Sequence, residues 1–266
     1  MKKTFFLFFL FLVCCVRGEI IELPQIQKTL NYVQKDDLVI FDIDNTLVEP
    51  VQLLGSDQWF YATLEKYKSL KCEQALEKVL SEYFSIQHAS NVKTVEDTTQ
   101  NVIETLQKQN TYVIGLTTRH IDMLYCTFKQ FRQLNIDLTK TSICSDVLFF
   151  NVNDGVLYKK GILFCSNAHK GTALFSFLDK INYTPKRVVF INDKRTHLEQ
   201  IENCCKNKNI PFLGLRYGYL DEKIKKMNYK IAEIQLEHFK KIISDEEALQ
   251  ILNQSVDSKA NQYNKN

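Results

Sequence analysis

The sequence predicts an α/β fold, a doubly wound parallel sheet carrying a small helical insertion. Two observations point to it. Short apolar runs recur at Leu38–Phe41, Tyr112–Leu116, Val147–Phe150, Val188–Ile191 and Phe212–Leu215, lengths suited to buried parallel strands. Stretches of helical periodicity separate most of them, and strand–helix alternation is the pattern of such a sheet.

The chain begins with a segment that belongs to targeting rather than to the fold. Lys2 and Lys3 precede an apolar run from Thr4 to Val13, and Val16 and Gly18 are small enough for a cleavage site after Gly18. The run is short for a membrane span, which needs about 20 residues. Residues 1–18 therefore read as a signal peptide, and the working protein as exported, periplasmic or secreted, with no membrane segment in its mature form.

Cleavage changes the charge balance. The chain has 34 basic and 31 acidic residues; the leader holds Lys2, Lys3 and Arg17 and no acid. The mature chain is then neutral, which gives no electrostatic footprint for nucleic acid or an anionic membrane. Six cysteines remain, at 72, 126, 144, 165, 204 and 205, with no C-x-x-C pair. That pattern argues against structural zinc and for scattered buried thiols.

The remaining residues suffice for one Rossmann-like core with an insertion. The core is expected over 19–54 and 106–243, the helical cap over 55–105, and a final helix with a polar, unstructured tail over 244–266. Thr94 to Asp97 resembles a capping box ahead of Val102, Ile103 and Leu106. Asn153-Asp154-Gly155 between apolar runs signals a hairpin. Leu174, Phe177, Leu178 and Ile181 define one helix face. Ser244-Asp245-Glu246-Glu247 is a helix start.

The chemistry begins at Asp42 and Asp44, which follow the first apolar strand directly. Ligands in open α/β sheets bind beyond the carboxyl ends of strands. Side chains two apart on an extended backbone share a side, so the two carboxylates crowd each other. A divalent cation resolves that conflict; Mg²⁺ prefers oxygen ligands and commonly bridges carboxylates to phosphate. Asp-x-Asp alone is common, and these could be ordinary acids at a strand–turn junction. The following Asn45-Thr46-Leu47 strengthens the signal. Three other positions suit the same site. Thr117 ends the second strand, where a hydroxyl could meet a phosphoryl oxygen. Lys170 opens a helix, where a cation opposes the dipole unless an anion lies nearby. Asp193 ends the Val188–Ile191 strand. Singly, these are a turn residue, an exposed lysine and an N-cap.

Together the four segments resemble the haloacid dehalogenase superfamily of phosphohydrolases. The order is Asp42-Ile43-Asp44-Asn45-Thr46, then Leu116-Thr117-Thr118, then Lys170, then Phe190-Ile191-Asn192-Asp193. The resemblance covers about residues 35–220. The leader, the helical insert and the Lys170-Gly171 context resemble a poorly characterised exported bacterial branch.

The resemblance implies that Asp42 attacks phosphorus to form an aspartyl-phosphate, and that Asp44 acts as acid and then base. Thr117 and Lys170 would hold phosphoryl oxygens. Mg²⁺ would sit on Asp42, the backbone carbonyl of Asp44 and Asp193. The substrate would be a small phosphate monoester. One departure is Asn192, where many members carry an acid; were the alignment shifted by one, its amide oxygen would be the ligand. A catalytically silent interaction protein and a phosphotransferase are the competing readings. Arg119 and His120 follow the threonine pair and suit substrate contact or solvent equally; Arg195 and His197 sit near Asp193 and suit solvent equally. Trp59, Tyr61, Tyr83 and His88 lie in the expected cap, where substrate selection would occur, though most aromatics there should be cap core.

Overall fold

The computed structural model describes residues 18–151, 155–166, 168–239 and 243–263. Residues 1–17 of the leader and the turn residues Asn153 and Asp154 lie outside the described residues. Among the described residues, eight strands form one sheet: β1 (Glu19–Leu23), β2 (Asp37–Phe41), β5 (Tyr112–Thr117), β6 (Leu148–Phe150), β7 (Val156–Lys159), β8 (Ile162–Phe164), β9 (Arg187–Asn192) and β10 (Phe212–Tyr217). Their order is β1-β10-β9-β2-β5-β8-β7-β6. The pairings from β1 to β8 are parallel, and β7 pairs antiparallel with both β8 and β6. A two-stranded antiparallel ribbon, β3 (Val48–Pro50) with β4 (Val92–Thr94), stands apart.

Alternation along the strands produces two cores. Val39, Phe41, Val113, Val189 and Ile191 face α3 (Thr99–Lys108) and α4 (Leu124–Gln133). Leu38, Ile40, Ile114, Leu116, Val188 and Phe190 face α5 (Lys170–Lys180) and α6 (Arg195–Asn207). Every residue of β2 is buried, as expected for a central strand covered on both faces. On α5, Leu174, Phe177 and Leu178 are buried, the face read from sequence.

The structure departs from the sequence reading at several points. The run at Val147–Phe150 is a strand from Leu148, but an antiparallel one at the sheet edge, with Phe149 62% exposed. The parallel strand on the far side of β5 from β2 is instead Ile162–Phe164, fully buried but only three residues long. The capping box is not made: Thr94 ends β4, and Thr98 precedes α3 without a side-chain capping bond. Glu96 instead accepts the Ile26 N–H at 2.6 Å and the Tyr217 hydroxyl at 2.5 Å, tying α3's approach to the sheet. The strands flanking Asn153 and Asp154, β6 and β7, pair antiparallel.

A second helical layer lies above the carboxyl ends of the strands. It contains α1 (Asp57–Ser69) and α2 (Ala75–Ala89). Ser56 caps α1, accepting the Trp59 N–H at 3.1 Å. Trp59, Tyr83 and Ile86 form a core with Ala232 and Leu236 of α8 (Tyr229–Glu237). The chain reaches α8 through the short α7 (Asp221–Lys225). Gln235 of α8 accepts the Leu54 N–H at 2.9 Å and donates to Asp245 at 2.7 Å, so α8 braces the entry to α1. The last helix, α9 (Asp245–Tyr263), starts as expected, with Ser244 accepting the Glu247 N–H. Its backbone stays helical past Ser255, where the sequence suggests an unstructured tail; residues 245–263 contain no glycine or proline to stop it. Among the described residues no helix is long and apolar enough to cross a membrane, and all six cysteines are free thiols, three of them buried.

Candidate active site

The chain leaves β2 towards β5 on one side and returns to β9 on the other. The carboxyl end of β2 is thus the switch point where open α/β sheets bind ligands. Asp42 is the first residue beyond it, and its N–H donates to the carbonyl of Ile191 on β9 at 2.9 Å. The loop then folds over itself. The Ile43 carbonyl accepts the Leu47 and Val48 N–H groups at 2.9 and 3.0 Å, and the Asn45 N–H donates to Val48. This turn needs a left-handed residue at 45 (φ 59°), a conformation asparagine tolerates better than most side chains.

Asp42 is 5% exposed and its Oδ1 lies 2.7 Å from Lys170 Nζ. The same ammonium donates to the Leu116 carbonyl at 3.1 Å and lies over the Phe190 ring, 5.4 Å from its centroid. Lys170 is fully buried, so these partners replace its water shell. Its position depends on close packing of α5 and α6. Lys170 N–H donates to Gln200 Oε1 at 3.0 Å. A Cβ on Gly171 would come within 2.5 Å of Cys204 Sγ and 2.6 Å of the Gln200 carbonyl.

Asp44 faces the other way, onto Arg119. Nε donates to Oδ2 at 2.9 Å and Nη2 to Oδ1 at 2.8 Å, a two-bond fork. Nη1 donates to Thr127 Oγ1 at 2.8 Å and Gln130 Oε1 at 2.7 Å. Gln130 Nε2 donates to Gln87 Oε1 at 3.0 Å, and Gln87 Nε2 to the Gly55 carbonyl at 2.5 Å. A buried polar chain therefore runs from Asp44 through α4 and α2 to the entry of α1. Burial alone would raise the Asp44 carboxyl, but the Arg119 charge and hydrogen bonds outweigh it and hold Asp44 below the usual carboxylate range.

Thr117 is the last residue of β5 and fully buried; its Oγ1 accepts the Arg119 N–H at 3.1 Å. Asn192 ends β9, and its amide oxygen is taken by the Lys194 N–H at 2.7 Å. Asp193 follows. Its Oδ2 accepts from Asn45 Nδ2 at 3.3 Å, while its Oδ1 is buried without a partner. Burial first, then the charge of Asp42, pushes Asp193 up to about 7. An orphaned, crowded carboxylate oxygen beside a second carboxylate is what an oxygen-preferring cation would relieve. Among the described residues no three acidic, histidine or cysteine side chains form a metal cluster. Were Mg²⁺ bound here, Asp42 and Asp193 are the side chains that would hold it, with the Asp44 carbonyl added by the family resemblance.

Two residues with no assigned role border the site. His197 Nδ1 lies 4.0 Å from Asp42 Oδ2; burial, then Lys170 and Lys194, lowers its pKa to about 3, so it sits there as neutral imidazole. Lys194 donates to Asp57 Oδ2 at 2.6 Å across to α1. Burial works against its ammonium, but Asp57, Tyr61 and Asp193 outweigh it and keep it charged. Of the other sequence candidates, Tyr83 lines the pocket beside Asp44 and is also core, and Tyr61 and His120 line that pocket too. Trp59 is buried core. His88 caps its own helix by contact with the Phe84 carbonyl, and Arg195 is exposed, with Glu199 beside it. The sequence offers Arg119 as a substrate contact or a solvated residue, and does not show its fork onto Asp44. Its spacing of two from the buried Thr117 was the available signal, since such residues share a side on extended chain.

A sheet whose central strand is followed directly by Asp-x-Asp, with Thr117, Lys170 and Asp193 from three other segments, resembles the haloacid dehalogenase superfamily of hydrolases in motif order. The chain belongs to the family described as "Protein of unknown function (DUF2608)", which matches residues 19–249. A Chlamydia trachomatis protein named "Putative outer membrane protein" is 28% identical over 93% of this chain and 96% of its own length. A Chlamydia pneumoniae protein of the same designation is 27% identical over 91% of this chain and 94% of its own. Among solved structures, a haloacid dehalogenase-like hydrolase of Streptococcus pneumoniae is 14% identical with a TM-score of 0.42, covering 66% of this chain and 92% of its own. At that level the structural likeness carries no weight for activity.

Proposed function

We propose that this protein is an exported Mg²⁺-dependent phosphatase that hydrolyses a phosphate monoester through an aspartyl-phosphate on Asp42. The observation that carries the reading is Asp42 at the switch point, with the buried Lys170 ammonium 2.7 Å from its Oδ1. A fully buried lysine at a helix start beside a nearly buried carboxylate suits an incoming dianion better than it suits packing.

Asp42 attacks phosphorus, and the bond to the ester oxygen breaks. Lys170 and the Thr117 hydroxyl stabilise charge on the phosphoryl oxygens. When bound, Mg²⁺ supplies further charge neutralisation at the phosphate. Asp44 handles the protons. Its bond to Arg119 favours the ionised form, the one that takes a proton from water in the second half of the reaction. Donating a proton to the leaving oxygen in the first half requires that pair to loosen. Water then attacks phosphorus, releasing phosphate and restoring Asp42.

Export is supported by the apolar leader. The chlamydial relatives' designation as outer membrane proteins is consistent with a site of action outside the cytoplasm. The test is a panel of phosphate monoesters presented to the protein without residues 1–18, with Mg²⁺ and with a chelator. Turnover of one or more esters that requires Mg²⁺ is expected; no turnover across a broad panel contradicts the reading.

A further inference from the structure

A pocket opens on Asp44 between α1 and α2 on one side and residues 118–123 on the other. Its apolar surface is largely aromatic, and Asp57, Thr118 and the hydroxyls of Tyr61 and Tyr83 belong to the same lining. Phe60 meets Tyr83 edge to face with centroids 5.2 Å apart, and Phe84 stacks on His120 at 5.7 Å. Met123 adds a deformable apolar surface to the lining.

Its charges are already matched. Arg119 is forked onto Asp44, and Asp57 holds Lys194 at 2.6 Å. Each charged lining residue has an opposite partner, so a second anionic group entering the pocket would find no uncommitted cation there. It would meet Asp57 and Asp44 instead.

We infer that the alcohol part of the substrate is aromatic and uncharged. This inference rests on the phosphatase reading of Asp42. The rings lie next to Asp44, two residues from the nucleophile, where the group esterified to the phosphate would sit. An aromatic ring gains both apolar burial and edge or face contacts with Phe60, Tyr83 and Phe84.

The test compares benzyl phosphate, ethyl phosphate and 4-carboxybenzyl phosphate with Mg²⁺. The leaving groups are all primary alkoxides, so kcat/KM differences report the pocket rather than leaving-group activation. Benzyl phosphate is expected to exceed ethyl phosphate by at least about tenfold, in line with apolar pocket discrimination. The carboxylate is expected to remove most of that advantage. Phe84→Ala is expected to shrink the benzyl-to-ethyl ratio at least about threefold, and Phe60→Ala provides a second probe if that variant folds poorly. Equal kcat/KM for benzyl and ethyl esters, or for benzyl and carboxybenzyl, overturns the inference. If no ester turns over, the phosphatase reading fails, and calorimetric binding of benzylphosphonate against ethylphosphonate decides the pocket. Tighter binding of the benzyl compound, weakened by Phe84→Ala, supports an aromatic site; equal affinity overturns it.

Discussion

Arg119 grips Asp44 through two parallel hydrogen bonds while its third nitrogen is held by Thr127 and Gln130. The guanidinium is almost fully buried, and the carboxylate is one-fifth exposed. The second acid of the Asp-x-Asp pair is therefore anchored to a polar chain that continues to Gln87 and Gly55, at the entry to the helical layer. Asp42 and Asp44, so close in sequence, have different counter-charges: Lys170 for one and Arg119 for the other.

Arg119→Met keeps much of the side-chain volume and strands Asp44, Gln130 and Thr127. Breaking a buried pair from one side costs about 3 kcal/mol. Urea unfolding should show a loss of that order. The double variant Arg119→Met/Asp44→Leu should recover most of it, because no unpaired charge remains. A single variant as stable as the parent would mean the fork adds nothing to the fold.

Lys170→Met preserves packing beneath Phe190 and removes the charge beside Asp42. Loss of one donor aimed at developing charge lowers kcat roughly 10²–10³-fold in comparable sites. Circular dichroism should show the fold retained. Activity within threefold of the parent would remove Lys170 from the phosphate site.

Much of this arrangement was legible in the sequence, and the reasons are specific. Leu38–Phe41, Tyr112–Leu116, Val188–Ile191 and Phe212–Leu215 are unbroken apolar runs because their strands are covered on both faces. The same criterion misread Val147–Phe150, whose apolar residues lie on an edge strand. It also passed over Ile162–Phe164, too short to register despite being central. Asp42, Asp44, Thr117, Lys170 and Asp193 could be picked out because each sits where an apolar run stops or a helix starts. The Arg119–Gln130–Gln87 chain could not, since it joins polar residues far apart in sequence that look like solvated helix faces until α2 and α4 meet.

Metal binding should depend on Asp193. Its orphaned Oδ1 has no other described partner, so Asp193→Asn should weaken Mg²⁺ binding at least about tenfold by calorimetry. A chelator should abolish turnover and added Mg²⁺ restore it. Full activity in a metal-stripped sample would contradict the assignment of Asp42 and Asp193 as ligands.

Gly171→Ala places a methyl group against Cys204 Sγ and the Gln200 carbonyl. Forcing α5 away from α6 should cost about 1–3 kcal/mol, the usual range for overpacking, and should displace Lys170, lowering kcat. Adding Cys204→Ala should restore part of the melting temperature but not all of it, because the Gln200 carbonyl still stands in the way. A fully stable, fully active Gly171→Ala protein would show that the close approach of the two helices is not needed.

The central claim is that Asp42 carries the phosphoryl group. Its most direct test is to quench the enzyme during turnover of a phosphate ester, reduce acyl-phosphates with borohydride, and map the modified residue by peptide mass spectrometry. Reduction confined to Asp42, and absent from Asp42→Asn, is the predicted result. Sustained hydrolysis with no trapped residue at Asp42, or with the label at another side chain, would contradict it.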